Sequence, residues 1–210
     1  MRPENSPDGQ QRTFIEEARR RQIIGAAVEV ISEFGYGKAS LARIARQAGI
    51  SKGVVSYHFD GKDDLMAQLV VQLYVSAAER IAPAVAAAAG PRDALLAYIR
   101  ANLAFIDDNR KHVAALMDVV VNLRDADGRP RFAGGDGEQE ILRPLVDLLA
   151  EGQRSGVFGE FDPVAMAESV RDSIDGAAGR AIRSADFDLT GYSAHVRRLY
   201  DLATRKEPRP

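Results

Sequence analysis

The sequence predicts an all-α protein in two parts, a small N-terminal three-helix bundle and a larger helical domain behind it. Three observations point there. Apolar residues recur at spacings of three and four along most of the chain. Gly and Pro interrupt these runs at intervals of helix length. Few alternating β-branched stretches compete, and no internal repeat is evident.

Each element follows in order. Over residues 13–34, Ile24, Ala27, Ile31 and Phe34 share one helical face, and Gly35 and Gly37 stop the run. Ser40 is placed to cap a short second helix with Leu41, Ile44, Ala45 and Ala48 on one face. Gly49 breaks it, and Ser51 caps a third short helix ending near His58. After Gly61 a long fourth segment repeats Leu65, Leu69, Leu73, Ala77 and Ile81 every four residues. Pro83 is expected to kink or end it, and Gly90-Pro91 to punctuate it. Helices are expected over 92–108, 111–123, 138–155, 163–183 and 189–205, with Asp162-Pro163 and Asp188 as starts. The Gly- and Asp-rich stretch 125–137 reads as a loop, and residues 1–12 and 206–210 as disordered arms. The domains are set at 13–60 and 61–205.

Composition narrows the function. Of 210 residues, 46% are hydrophobic and 28% charged, ordinary values for a soluble globular protein. Net charge is −2, so any site for a polyanion is a local cluster and not a global field. Residues 1–60 hold nine Lys/Arg against seven Asp/Glu, and the remainder nineteen against twenty-three. There is no Cys, which excludes disulfides, zinc-thiolate sites and a cysteine nucleophile. The start lacks the apolar core of a signal peptide, and no run of about eighteen uncharged apolar residues is present, so a cytoplasmic location without a membrane span is expected. With only His58, His112 and His195, no His-Glu-x-x-His and no phosphate-binding G-x-x-x-x-G-K-[ST], an enzyme is not expected, nor is a cofactor or a metal.

The order short helix, Gly-containing turn, short helix over residues 40–58 is that of a helix-turn-helix. The first turn of such a second helix enters a major groove about 12 Å wide. Here that turn offers Ser51, Lys52 and Gly53. Lys52 suits guanine O6 or N7, and Gly53 allows close backbone approach. Val54 fits either a thymine methyl or the core, whereas Val55 and Phe59 are assigned to the core. Lys38, Ser40, Arg43, Ser56, Tyr57, His58 and Lys62 are phosphate candidates. Singly, each has a plainer reading: the serines as caps, the Lys and Arg residues as solvated face, His58 as a partly buried core histidine.

Residues 24–70 resemble the DNA-binding domain of the tetracycline-repressor-like (TetR) family of bacterial regulators. The matching stretches run Ala26 to Tyr36, Ser40 to Ile50, Ser51-Lys52-Gly53-Val54-Val55-Ser56-Tyr57-His58-Phe59 and Lys62-Asp63-Asp64-Leu65. The resemblance implies that Lys52, Gly53 and Tyr57 lie at or near base edges, and Lys38, Ser40, His58 and Lys62 near phosphate. Two positions depart from the family pattern: Val54 stands where Thr is common, and Ser56 where Tyr is common. A single reader of this kind makes few base contacts, so two copies in a symmetric dimer are expected on a pseudo-palindromic operator in double-stranded DNA.

For the larger part, the resemblance implies a domain that dimerises and encloses a small-molecule effector. The last two helices are expected to form the homodimer. Val164, Ala167, Val170, Ile174, Ala177, Ala178 and Ala181, with Tyr192, Val196, Leu199, Tyr200 and Leu202, are the contact candidates, intramolecular packing being the alternative. Effector-lining candidates are Tyr74, Tyr98, Asn102, Phe105, Leu116, Met117, Val120, Met166, Val170, Arg171, Ile174 and Asp175. Burial of Asp118, Arg171 or Asp175 would demand a partner, and a buried acid would favour a cationic effector. The expected activity is that of a repressor released from its operator by a largely apolar effector. An activator or an effector-independent regulator of the same fold is the alternative, and a helical adaptor or an enzyme stands further off.

Overall fold

Helical periodicity carries through into nine α-helices among the described residues. The structure, a computed structural model, describes residues 7–132 and 136–206. In chain order the helices are α1 (Pro7–Phe34), α2 (Leu41–Gln47), α3 (Lys52–His58), α4 (Gly61–Ala86), α5 (Pro91–Asp108), α6 (Arg110–Asn122), α7 (Asp136–Arg154), α8 (Pro163–Arg183) and α9 (Leu189–Ala203), with a short 3-10 turn at Tyr36–Lys38 between α1 and α2. The all-α expectation holds.

The element boundaries follow local chemistry. Ser40 Oγ accepts the Arg43 N–H and Ser51 Oγ the Val54 N–H, each at 3.3 Å, so both short helices start on satisfied caps. Asp162 accepts from Val164 and Ala165, with Pro163 at the first helical position of α8. Asp188 accepts from Gly191 at the head of α9.

Two expectations change. Helix α1 begins at Pro7, so residues 7–12 are helical and not a loose arm. Proline's fixed φ suits a first helical turn, where its missing N–H costs nothing. Residues 1–6 and 207–210 of the expected arms lie outside the described residues. Pro83 does not end α4, which continues to Ala86. Helix α4 is long and apolar enough, by length and composition alone, to cross a membrane, although Glu79 and Arg80 interrupt its apolar run. Its first half owes that apolarity to packing, because Leu65, Met66, Leu69 and Val70 are buried in a protein core.

The chain divides into two compact units, one reaching to Gln72 and including Ala115–Leu123, the other comprising Leu73–Ala114 and the chain from Arg124 onward. The first unit packs α1 on α2 and α2 on α3. Its core is Ile23, Ala27, Val30 and Ile31 of α1, Ile44 and Ala45 of α2, Val55 of α3, Phe59, the buried face of early α4, Ala115 and Val119 of α6, and Leu123 just after α6. Each such Ile or Leu contributes roughly 1.5–3 kcal/mol on burial.

In the second unit α5 lies against α7, α8 and α9, and α8 against α7 and α9. Leu95, Ile99 and Leu103 of α5 meet a core containing Leu145, Leu149, Ile174 and Val196. Three arginines tie this unit together. Arg110 donates to the carbonyls of Ala185 at 3.0 Å and Phe187 at 3.1 Å, just past the end of α8, where carbonyls lack helical partners. Arg92 donates to Asp201 Oδ1 at 2.6 Å while Arg205 donates to Oδ2 at 2.8 Å.

Candidate nucleic-acid interface

The turn between α2 and α3 is built on Gly49, which sits at φ 67°, a left-handed conformation that disfavours any residue with a Cβ. Its N–H and that of Ile50 return to the carbonyls of Arg46 and Ala45 at 3.2 and 3.0 Å, closing the end of α2. Helix α3 then points one side inward. Val55 and Phe59 are buried, as their assignment to the core requires, and Val54 is half-buried.

The other side of α3 faces solvent. Lys52, Gly53, Ser56 and Tyr57 are exposed, Tyr57 at 75% despite being a large aromatic residue. Its ring meets His58 edge-on at 5.0 Å. A bare aromatic held on a helix surface has no packing justification within the chain. Gly53 is equally unexplained by packing: an added Cβ would meet only Ser51 Oγ, at an ordinary 3.7 Å. Lys38, Ser40 and Ser51 are also exposed, and His58 is half-buried.

Two of the phosphate candidates are committed inside the protein. Arg43 lies over the Phe34 ring at 4.4 Å and buries one guanidinium nitrogen without a hydrogen-bond partner. Lys62 donates to the Tyr36 carbonyl at 2.7 Å and sits 4.0 Å over the Tyr36 ring. Burial lowers its pKa from the usual lysine value, against the opposing pull of Asp63 and Asp118.

Three supporting residues escaped the sequence reading. Arg20 of α1 donates to the His58 carbonyl at 2.7 Å, bonds Gln68 of α4, and covers the Phe59 ring at 4.8 Å. It closes the C-terminal end of α3, where a cation is favoured. Its signal was the run Arg19-Arg20-Arg21, which reads equally as a solvated face. Gln22 donates to the Ala48 carbonyl at 2.9 Å, joining α1 to the turn. Asn122 donates to Asp118 Oδ1 at 2.8 Å, while Asp118 Oδ2 accepts the Tyr36 N–H at 2.7 Å, so the Asp118 carboxylate is partnered.

The effector candidates divide between the units. Leu116, Met117 and Val120 belong to the first; Tyr74, Tyr98, Asn102, Phe105, Met166, Val170, Arg171, Ile174 and Asp175 belong to the second. Val170 and Ile174 are 0% exposed, so no space that admits a water molecule adjoins them, and they serve as core in this conformation. Asn102 is buried, Tyr74, Tyr98, Phe105, Met166 and Arg171 are half-buried, and Leu116, Met117 and Val120 likewise. Asp175 is exposed and not a buried acid. It accepts from Arg171 Nε at 3.1 Å and Nη2 at 2.5 Å, and Arg171 Nη1 donates to Asn102 Oδ1 at 3.3 Å. Burial works against the Arg171 charge, but the hydrogen bond and charge of Asp175, with help from Tyr98, outweigh it and raise the guanidinium pKa further.

The small-residue stripe of α8 is also consumed internally. Ala167, Ala177, Ala178 and Ala181 are buried within the single chain, as are Val196 and Tyr200 of α9. Tyr192 is half-buried and donates to the Ser173 carbonyl of α8 at 3.4 Å. Val164, Leu199 and Leu202 remain exposed, each at 49%.

Fold and reader together define a helix-turn-helix protein on an all-α scaffold. Comparison with known proteins agrees. Residues 23–69 match the model of the bacterial regulatory proteins of the tetR family. The chain is 37% identical over 102 residues to the HTH-type transcriptional regulator BetI of Cronobacter sakazakii, covering 47% of this chain and 48% of that one. It thus spans about half the length of that relative. To the fatty acid metabolism regulator protein of Bacillus subtilis it is 29% identical over 151 residues, 71% of this chain and 75% of that. In fold it superposes on the transcriptional regulator FadR from Bacillus subtilis, solved in complex with stearoyl-CoA, with a TM-score of 0.72 and 24% identity over 85% of this chain and 96% of that. Over residues 23–69 the chain is thus similar to the tetR family of bacterial regulatory proteins, and over most of its length it shares the fold of the solved FadR neighbour.

Proposed function

We propose that this protein is a sequence-specific DNA-binding transcriptional regulator acting as a homodimer, with α3 as its recognition helix. The observation that carries the reading is the exposed side of α3. Lys52, Gly53 and Tyr57 stand free there, while Val55 and Phe59 anchor the helix from behind. Lys52 supplies a donor for a base edge, Gly53 the close approach, and Tyr57 a contact in the groove or on its wall. Lys38, Ser40, Ser51, Ser56 and His58 flank that side and serve the backbone. Arg43 and Lys62 contribute as internal braces first.

The working division is a reader over 13–60 and an effector and dimerisation domain over 61–205, in the cytoplasm. The dimer forms through α8 and α9, using Leu199, Leu202 and Val164 in place of the buried alanine stripe. Repression relieved by a small effector is the favoured outcome, activation the second. An effector that binds one conformation of the dimer preferentially lowers operator affinity, and DNA lowers effector affinity in turn.

For the effector, an apolar molecule with an anionic end is now favoured over a cationic one. The buried acid of the second unit, Asp201, is already held by Arg92 and Arg205, and Asp175 is exposed. Arg171, beside Tyr98 and Asn102 and paired with the exposed Asp175, is the cation for which an anionic end would compete. The FadR neighbour's complex with stearoyl-CoA is of the same chemical kind.

Selection of bound duplexes from a random pool, at stated salt, tests the core of this reading. A pseudo-palindrome is the expected product. Weak and uniform recovery, with no loss in Lys52→Ala or Tyr57→Ala, would refute it. Competition in the same assay by long-chain acyl thioesters, with neutral and cationic amphiphiles as controls, tests the effector class.

A further inference from the structure

The 3-10 turn at Tyr36–Lys38 is the joint from which the reader hangs. It follows Gly35, held at φ 79°, and leads through Ala39 into Ser40, the cap of α2. It carries Lys38 to the surface. A turn this short has little internal hydrogen bonding of its own: Lys38 N–H returns to Gly35 and Ala39 N–H to Tyr36. The Tyr36 N–H needs a partner from outside the turn, and the Tyr36 carbonyl, which accepts from Ala39, can take a second hydrogen bond.

Two charged side chains provide them. Asp118 of α6 accepts the Tyr36 N–H, and its second oxygen is occupied by Asn122. Lys62, in the first turn of α4, donates to the Tyr36 carbonyl and covers the Tyr36 ring. The peptide groups on either side of Tyr36 Cα are thus gripped by an acid and a base from two different helices. All three residues lie in the unit that ends at Gln72 and includes Ala115–Leu123.

Resting on the reading of this unit as a DNA reader, we propose that Asp118 and Lys62 form a latch on the Tyr36 turn, through which α6 positions the helix-turn-helix for DNA. Lys62 is then an internal brace and not a phosphate contact. Asp118 is a positioning residue far from the DNA in sequence. Loosening the latch frees the Tyr36 turn and, with it, Lys38 and the start of α2.

The test uses the full chain and four variants: Asp118→Ala, Asp118→Asn, Lys62→Met, and Asp118→Ala with Lys62→Met. Amide exchange at Tyr36 reads the latch directly, and binding to the duplex recovered by selection is measured across a salt series. Asp118→Ala is expected to speed Tyr36 exchange by about tenfold or more and to weaken duplex binding about tenfold, with an unchanged salt slope. Lys62→Met is expected to do likewise, and the double variant to lose clearly less than the two single losses combined. Asp118→Asn keeps an acceptor oxygen of the same shape and should recover most of the binding, which also guards against a folding defect in the alanine variant. A salt slope reduced by about one in Lys62→Met would make Lys62 a phosphate contact and overturn the brace. Wild-type exchange and binding in Asp118→Ala would overturn the latch. If the wild-type chain recovers no duplex, the DNA-reading assignment fails and the positioning role with it, while Tyr36 exchange separately decides whether the latch exists.

Discussion

At position 53 an added methyl group would meet only Ser51 Oγ, at 3.7 Å. Helix α3 would gain from it, because Ala is better than Gly in a helix by roughly 0.5–1 kcal/mol. Gly53→Ala should therefore melt at the same or a higher temperature and yet bind the selected duplex about tenfold more weakly. Equal affinity would remove Gly53 from the interface. Asp201 is a contrasting residue, placed for stability. Hydrogen bonds from Arg92 and Arg205 hold its carboxyl below its usual pKa, against the opposing effect of burial. A depressed pKa adds stability that is full above the unfolded value, about 4, and is lost as pH falls through the lower folded one. The melting-temperature gap between wild type and Asp201→Asn should therefore be wide near pH 6 and close as pH falls below about 3–4. A gap that stays constant would show that the charge is not what stabilises. Roles such as those of Val55, Phe59, Ser40 and Ser51 were legible because their causes lie within one or two helical turns. Those of Arg20 and Asp118 were not: their partners are 38 and 82 positions away.

At the scale of elements, the turn between α2 and α3 is the sharpest case. Gly49 is left-handed and has open space around it, so only its backbone conformation demands glycine. Gly49→Ala should cost about 1–2 kcal/mol, seen as a lower denaturation midpoint with an unchanged slope. No loss would mean that the turn can relax. Helix breaks read from Gly and Pro held where the residue met an end, as at Gly49 and Gly90-Pro91. Pro83 is the exception, lying inside α4, which continues to Ala86. Proline's missing N–H costs nothing in a first helical turn, whereas inside a helix the lost hydrogen bond and the clash of the ring with the preceding turn are offset only by the rest of the helix.

For the whole molecule, the proposed dimer depends on which faces of α8 and α9 are left uncovered. The alanine stripe of α8 suggested close contact between protomers, but packing within one protomer buries it. Leu199 and Leu202 are left exposed one turn apart on α9. Leu199→Glu with Leu202→Glu should shift the sedimenting species from dimer to monomer and abolish binding to the full pseudo-palindrome, with helix content unchanged. A dimer that survives both charges would place the interface on another face. The effector candidates show the same limit. Val170 and Ile174 lie on plausible inward faces, yet the packed helices leave them no adjoining space.

Periodicity and local chemistry already specified the all-α class, the order of the helices, the caps of α2 and α3, and the helix-turn-helix motif that carries Lys52, Gly53 and Tyr57. These depend on periodicity and on contacts between near neighbours in the chain. Tertiary structure alone decided which apolar face is spent internally, that Arg43 and Lys62 turn inward, and that Asp118 holds the Tyr36 turn. Burial and charge pairing are properties of the space between helices, and a one-dimensional pattern does not specify which helix fills that space.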